Sequence, residues 1–266
     1  MDHRWILPVP EYYARLNSYL GAFSRERQDE IQDRYYWASL LCEVLGDARG
    51  QLVFNCSCGW GTQAVPLAKL GWQVTACDVS ESSMDNARKY ANEEGVSVDF
   101  RVCDMRDLVQ VFNQQFDWVV SCYALYEIPT DEGLHQAVRG IFTTLKPGGK
   151  CYLRFRDKDF LMEEQPRHVF HGERRVPNGR IIWIQGWDYE SESTVIAMDA
   201  FLREDECRAP SDHFRWVTET IGVRKKVLRK AELQCVLVSE GFNPVIFLPQ
   251  PEPWMDIQLT ATRPEG

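Results

Sequence analysis

The stretch VFNCSCGWGTQAVPLAKLGWQVTACDVS, residues 53–80, limits the possible folds more than any other part of the chain. A short apolar run ends in a turn carrying Gly59 and Gly61, a helix-like segment follows, and a second apolar run ends on Asp78. Strand, tight turn, helix, strand is a unit whose two strands lie side by side and parallel, joined by the crossover helix. Pro66 falls near the first turns of that helix, where a missing amide costs least.

The alternation continues downstream. SESSMDNARKYANEEG reads as a helix with Ser80 as N-cap, Glu81 in the first turn and Gly95 closing it. VSVDFRVCDM and FDWVVSCYAL read as strands, DEGLHQAVRGIFTTL as a helix, and KCYLRFRD as a strand after the Lys-Pro-Gly-Gly turn at 146–149. Residues 11–45 carry helical spacing with a cluster of aromatics, Tyr12, Tyr13, Tyr19, Tyr35, Tyr36 and Trp37. After residue 160 the period changes to three β-like runs, the first two joined at Pro177-Asn178-Gly179, a hairpin signal. Helical spacing returns at 229–241, and NPVIFLP and WMDIQLTATR supply two final strands.

The expected fold is therefore α/β: a Rossmann-like doubly wound sheet, mostly parallel with an antiparallel last strand, carrying an inserted antiparallel β-subdomain and an N-terminal helical segment. As one domain it divides into a helical cap (1–48), a ligand-binding core (49–158), an inserted β lid (160–228) and the completion of the sheet (229–266).

A net charge of −9 and a pI near 5.2 oppose binding to nucleic acid, which depends on neutralising phosphates with Lys and Arg. The basic run RKKVLRK (224–230) reads as a solvated strand end and helix start. No apolar run approaches the ~20 residues that span a bilayer, and MDHRWILPVPEYY is no secretory leader, so a cytoplasmic location is expected, with no membrane partner. The nine cysteines are odd in number and mostly lie inside apolar runs (Cys77, Cys103, Cys122, Cys151), as reduced core residues do.

Three readings of the Gly59/Gly61 turn compete. Glycines there leave helix-terminal amides open to a ligand, and Asp78, at the end of the next strand, is placed to accept hydrogen bonds from both hydroxyls of a ribose. A metal knuckle would need Cys56 and Cys58 to be joined by another pair, for which His168 and His171 are the only match in type. The turn could also be a plain connection without a ligand. A dinucleotide turn fits poorly, because Ser57 stands where the first glycine of G-x-G-x-x-G belongs and Ala64 stands at the third. A nucleoside cofactor without phosphates suits the turn better.

The ordered segments NCSCGWGTQA, ACDVS, CDMRD, FDWVVSCYAL and LKPGG resemble the successive motifs of class I S-adenosylmethionine (SAM) methyltransferases, over roughly residues 30–156. Within that class the chain is most similar to the glycine and sarcosine N-methyltransferase group. The resemblance implies S-adenosyl-L-methionine as cofactor and S-adenosyl-L-homocysteine (SAH) as product. Asn55, Cys56, Ser57, Cys58, Gly59, Trp60 and Gly61 would pack under the methionine part, and Arg34 would pair with its carboxylate. Asp78 would hold the ribose, with Val79 and Met84 beside the adenine; Asp104 would accept the adenine amine and Met105 would offer its backbone amide. Gln63, Ser80, Arg106 and Cys122 complete the implied cofactor set, and Ser121 to Ala124 would face the sulfonium and the incoming nucleophile. Two departures stand out: Asn55 replaces the usual acid at the end of the first strand, and Trp60 is large for its slot.

For the acceptor, RFRDKDF (154–160) resembles the segment that follows the fifth strand in that group, with Arg156 and Asp159 matching and Asp157 and Lys158 not. Arg156 is thus the candidate carboxylate clamp, against a plain surface arginine paired with a neighbouring aspartate. Tyr123 and Tyr126 are the candidate catalytic residues, flanking the sulfonium or a cationic amine, with Tyr19 and Trp187 beside the substrate; core packing is the rival role for all of them. No metal is expected. The function expected is methyl transfer to an amine of a small, amino-acid-like carboxylate. Alternatives are methylation of sulfur, imidazole or oxygen on a similar acid, or a non-catalytic SAM-binding module. Oligomeric state is not legible.

Overall fold

The computed structural model describes residues 5–23, 38–48, 50–113, 115–156, 162–165, 167–176, 179–205, 215–249 and 256–266. The elements run α1 (Val9–Phe23), α2 (38–45), β1 (Leu52–Cys56), α3 (Ala64–Lys69), β2 (Gln73–Asp78), α4 (Glu81–Glu94), β3 (Asp99–Val102), α5 (Leu108–Val111), β4 (Phe116–Cys122), α6 (Asp131–Thr144) and β5 (Leu145–Arg156). A single turn, α7 (162–164), precedes four long strands, β6 (His168–Val176), β7 (Gly179–Tyr189), β8 (Thr194–Asp205) and β9 (Arg215–Lys226). The chain ends with α8 (Lys230–Ser239), β10 (Val245–Phe247) and β11 (Asp256–Thr262).

The main sheet has the order β10-β11-β5-β4-β1-β2-β3. Its β1, β2, β3, β4 and β5 are parallel, and β11 runs antiparallel to β5 from Asp256 opposite Arg156 to Thr262 opposite Lys150. This is the mostly parallel sheet with an antiparallel end that the alternation predicts. Buried strands carry apolar residues on both faces: Phe54 packs with Phe116, Leu134, Ile141 and Leu237, and its neighbour Val53 packs with Leu67, Val74, Met84 and Trp118 on the other side. Ser80 caps α4 by accepting from the Ser83 amide, and Gly95 ends it at φ +67°, as expected.

The inserted sheet is larger than expected. It has four antiparallel strands in sequence order rather than three, because Arg215–Lys226 forms a full strand paired along β8 from Thr194–Lys226 to Asp205–Arg215. Its apolar face is covered by α1: Tyr12 and Leu16 pack with Ile181, Ala197, Phe201, Ile221 and Val223. The segment before α1 lies against β9, with the Leu7 amide donating to Gly222 O at 2.8 Å and the Gly222 amide to Trp5 O at 2.9 Å. Among the described residues, no helix is long and apolar enough to cross a membrane.

Candidate functional site

Parallel strands that end side by side leave a crevice where the order reverses, here between β1 and β4. A cavity of about 710 Å³ opens there. It is lined by the turn after β1 (Ser57, Cys58, Gly59, Trp60, Thr62, Gln63), the end of β2 (Asp78, Val79), Ser83, the segment after β3 (Cys103 to Arg106), the end of β4 (Cys122 to Ala124) and Glu127 to Pro129. The N-terminal segment closes it with Pro8, Val9, Pro10, Tyr13, Leu16 and Asn17, and the inserted sheet adds Trp183.

The turn is shaped for close approach. Ser57, Gly59 and Gly61 all have positive φ, at +66°, +53° and +78°. A β-carbon on Gly61 would lie 3.0 Å from Val65 Cγ2 and 3.3 Å from Ala87 Cβ, so this glycine lets the turn pack against α4. Asp78 braces the turn from β2: its Oδ2 accepts from the Gly59 amide at 2.9 Å and its Oδ1 from the Ser80 amide at 3.0 Å. A carboxylate offers about four lone-pair sites, so two remain for a ligand's hydroxyls. Burial pushes the Asp78 carboxyl above the usual range, outweighing those amides. Asp104 accepts from Arg106 Nη2 at 2.6 Å and Nε at 3.0 Å. Burial works against its charge, but Arg106 holds its carboxyl below the usual value. The turn, the braced carboxylate at a strand end and the acidic lining together fit a ligand rich in hydrogen-bond donors and positive charge.

The expected site residues separate into groups. Ser57, Cys58, Gly59, Trp60, Gln63, Asp78, Val79, Asp104, Met105, Arg106, Cys122 and Tyr123 line the cavity. Six expected cofactor or catalytic residues stand behind that lining. Asn55 is fully buried, its Nδ2 donating to Val120 O at 3.2 Å and its Oδ1 without a partner. Cys56 and Met84 are core residues, because their positions on β1 and α4 turn them into the layers beside the sheet. Gly61 packs against α4, Ser80 serves as its cap, and Tyr126 is enclosed in the core. Of the expected substrate residues, Tyr19 stacks on Phe201 at 4.1 Å and donates to Glu219, and Trp187 packs with the α1 cluster. Arg156 is exposed at the end of β5 and does not line the cavity. Arg34, Asp157, Lys158 and Asp159 lie outside the described residues.

Cys56 and Cys58 face different core layers, so the Cys-x-Cys spacing does not converge on one point. Burial raises both thiols, Cys56 to about 12, and among the described residues no group of three His, Cys, Asp or Glu could hold a metal.

Sequence reasoning missed Asn17, Ser83, Glu127 and the part played by Tyr13. Trp60 explains one of them. Its indole N–H donates to Asn17 Oδ1 at 3.0 Å, and Asn17 Nδ2 donates to Ser83 Oγ at 2.9 Å and Ser82 Oγ at 3.2 Å. The large residue in the turn is thus a tether between the cavity floor and α1. Replacing Trp60 with Phe keeps the ring and deletes the donor. Amide exchange across residues 9–23 should rise ~5-fold, the value of one ordinary hydrogen bond, with little change in exchange of β1 or β4.

Residues 53–149 match the family described as methyltransferase domain. The chain is 36% identical over 104 residues to a ubiquinone biosynthesis O-methyltransferase from Xanthomonas euvesicatoria, a match spanning 39% of this chain and 42% of that protein. Among solved structures it is similar to a SAM-dependent methyltransferase from Clostridium acetobutylicum, with a TM-score of 0.68 at 12% identity, covering 95% of this chain and 99% of that one. It is also similar to a SAM-bound amino pentose methyltransferase of calicheamicin biosynthesis from Micromonospora echinaspora, with a TM-score of 0.65 at 16% identity, covering 92% and 96%. These comparisons do not single out the glycine and sarcosine group.

Proposed function

We propose that this protein is a SAM-dependent methyltransferase acting on a small acceptor inside the 710 Å³ cavity. The observation that carries this reading is that one cavity joins the glycine turn, Asp78, the Asp104–Arg106 segment and the end of β4. S-adenosyl-L-methionine, when bound, supplies a methyl group on a positively charged sulfur. Asp78 takes the ribose hydroxyls with its two free lone-pair sites, the Met105 backbone and Asp104 meet the adenine, and the turn at 57–60 lies under the methionine part. Tyr123 and Ala124 at the end of β4 border the space for the acceptor. The chain's main task is orientation in a pocket shielded from water, which can contribute several kcal/mol to an in-line displacement.

An amine acceptor fits the lining, which carries Asp78, Asp104 and Glu127 against Arg106, the single cation among its described residues. The carboxylate clamp expected at Arg156 would lie outside that lining, on an exposed side chain at the end of β5. Oxygen methylation is the second reading, favoured by the name of the Xanthomonas relative.

Titration calorimetry with SAM and SAH, followed by an acceptor screen for SAH release, tests the proposal. Binding with turnover on one acceptor supports it. Absence of binding overturns it, and binding without turnover on any amine, thiol or hydroxyl favours the non-catalytic module. In the Arg156→Ala variant, a raised acceptor KM with an unchanged SAM KM would support an acceptor carboxylate held by Arg156.

A further inference from the structure

Two tyrosines in the cavity wall are built alike. Tyr123, at the end of β4, donates its hydroxyl hydrogen to Asp256 Oδ2 at 2.5 Å. Arg154 donates to the same oxygen from Nη2 at 2.7 Å and Nε at 3.1 Å, and its guanidinium lies 5.3 Å from the Tyr123 ring centroid. Arg154 and Asp256 are only 11% and 14% exposed, on adjacent strands β5 and β11. Tyr13, on α1, donates its hydroxyl hydrogen to Glu127 Oε1 at 3.0 Å, and Lys225 Nζ donates to that oxygen at 2.6 Å. Glu127 is 8% exposed, and its other oxygen, Oε2, is buried without a partner.

A hydroxyl has one hydrogen to give, and each of these has given it to a carboxylate that a cation holds in place. Burial and the adjacent carboxylates also keep both phenols above their ordinary pKa, so neither becomes a phenolate. Both residues line the cavity, and with their hydrogens committed to Glu127 and Asp256 the two hydroxyl oxygens can only accept from a further partner. The backbone of Tyr123 adds a second sign of a fixed side chain, because its φ of +60° is a strained value for a bulky residue, held by the Tyr123 amide donating to Arg154 O at 2.7 Å.

We propose that the Arg154–Asp256–Tyr123 and Lys225–Glu127–Tyr13 relays select a primary amine as methyl acceptor, each tyrosine oxygen accepting one of its N–H hydrogens. This rests on the methyltransferase reading above. A neutral primary amine has two N–H donors and one lone pair; with both donors held, the lone pair is the direction left for attack. The nitrogen forms its bond to the methyl carbon as the carbon–sulfur bond breaks, the electron pair of that bond stays on sulfur, and the surplus proton leaves on the product ammonium, to be lost to solvent after release. An alcohol offers one donor and a phenolate none, and Arg106, the one cation in the described lining, is engaged by Asp104. Tyr13 and Tyr123 touch the acceptor in this scheme, while Asp256 and Glu127 are positioning residues that keep hydroxyl hydrogens out of the cavity.

The test uses the full chain and a panel of primary amines, each matched to an alcohol of the same skeleton, together with phenol and catechol. SAH binding is measured first, so its absence overturns the methyltransferase reading rather than this one. Given SAH binding, the expected result is turnover on one or more amines at a kcat/KM at least ~5-fold above the matched alcohol, the worth of one ordinary hydrogen bond. Tyr13→Phe and Tyr123→Phe should each raise the amine KM by ~5-fold, with SAH affinity within a factor of two and the amine's calorimetric affinity for the SAH complex weakened in parallel. In Asp256→Asn the amide oxygen turns to Arg154, the Tyr123 hydroxyl is freed to donate, and amine-over-alcohol selectivity should fall; Asp256→Glu should retain more of it. No turnover on any amine, turnover on alcohol or phenol at an equal rate, or amine KM values unchanged in both Phe variants would overturn the proposal.

Discussion

Asp78→Ala should weaken SAM and SAH binding by about 100-fold or more, since two hydrogen bonds from ribose to a charged oxygen are worth ~1.5–3 kcal/mol each. The substitution also removes the acceptor for the Gly59 and Ser80 amides, so thermal stability should fall by several degrees with the sheet intact. Asp78→Asn separates the two effects: one amide oxygen can still brace the turn, but the charge is gone. Titration calorimetry on the three proteins reads the affinity, and scanning calorimetry reads the stability. The same residue sets a pH dependence. Donors from a ribose favour the ionised carboxylate, and burial has raised the Asp78 pKa. Affinity should therefore be full above that pKa and decline as pH falls through it, with proton release on binding below it. An acid-independent affinity down to the ordinary carboxylate range, or an Asp78→Ala protein that binds SAH normally, would remove Asp78 from the ribose site.

Asp199→Ala should be the most destabilising single change in the inserted sheet. Asp199 is fully buried and holds three donors: the Tyr12 hydroxyl, Trp183 Nε1 at 2.8 Å and Gln185 Nε2 at 2.9 Å. Truncation leaves three buried donors unpaired and a void between α1 and β8, a loss of about 3–5 kcal/mol by comparison with other broken buried charge networks. At ~2–4 °C per kcal/mol for a chain approaching this size, the melting midpoint should drop by roughly 6–20 °C. Trp183 and Tyr13 both line the cavity, so SAH binding should weaken as well. Asp199→Asn, which keeps an acceptor for some of the donors, should recover part of the loss. Scanning calorimetry checks the order wild type, Asn, Ala; an Ala variant within 2 °C of wild type would show that α1 is not secured through Asp199.

Much of this architecture was legible before any coordinates. The run from Val53 to Asp78 required a parallel unit with a glycine turn, and Ser80 and Gly95 marked the ends of α4 to the residue. These are local signals: a cap, a turn and an apolar period of two or 3.6 act within a few residues of one another. The first misreading was of length. Arg215–Lys226 is a strand whose short apolar set, Val217, Ile221 and Val223, is interleaved with charge, as suits an edge strand exposed on one face. Asp199 did carry a signal, since it shares the inward face of β8 with Ala197 and Phe201, and a carboxylate at such a position has to be paired.

By itself the sequence determined the order of the elements, the mostly parallel sheet and the segments whose ends meet at the β1/β4 crevice, because backbone propensity and burial period are properties of short stretches of chain. Only the tertiary structure decided which side chains reach the cavity. Asn55, Cys56 and Met84 belong to matching segments yet turn into the core, whereas Asn17 and Glu127 reach the cavity from positions 110 residues apart and Asp256, behind the lining, holds Tyr123. The direction in which a hydroxyl hydrogen points depends on the carboxylate packed against it. That packing arises when β11 pairs with β5 and α1 settles on the inserted sheet, and no local spacing encodes it.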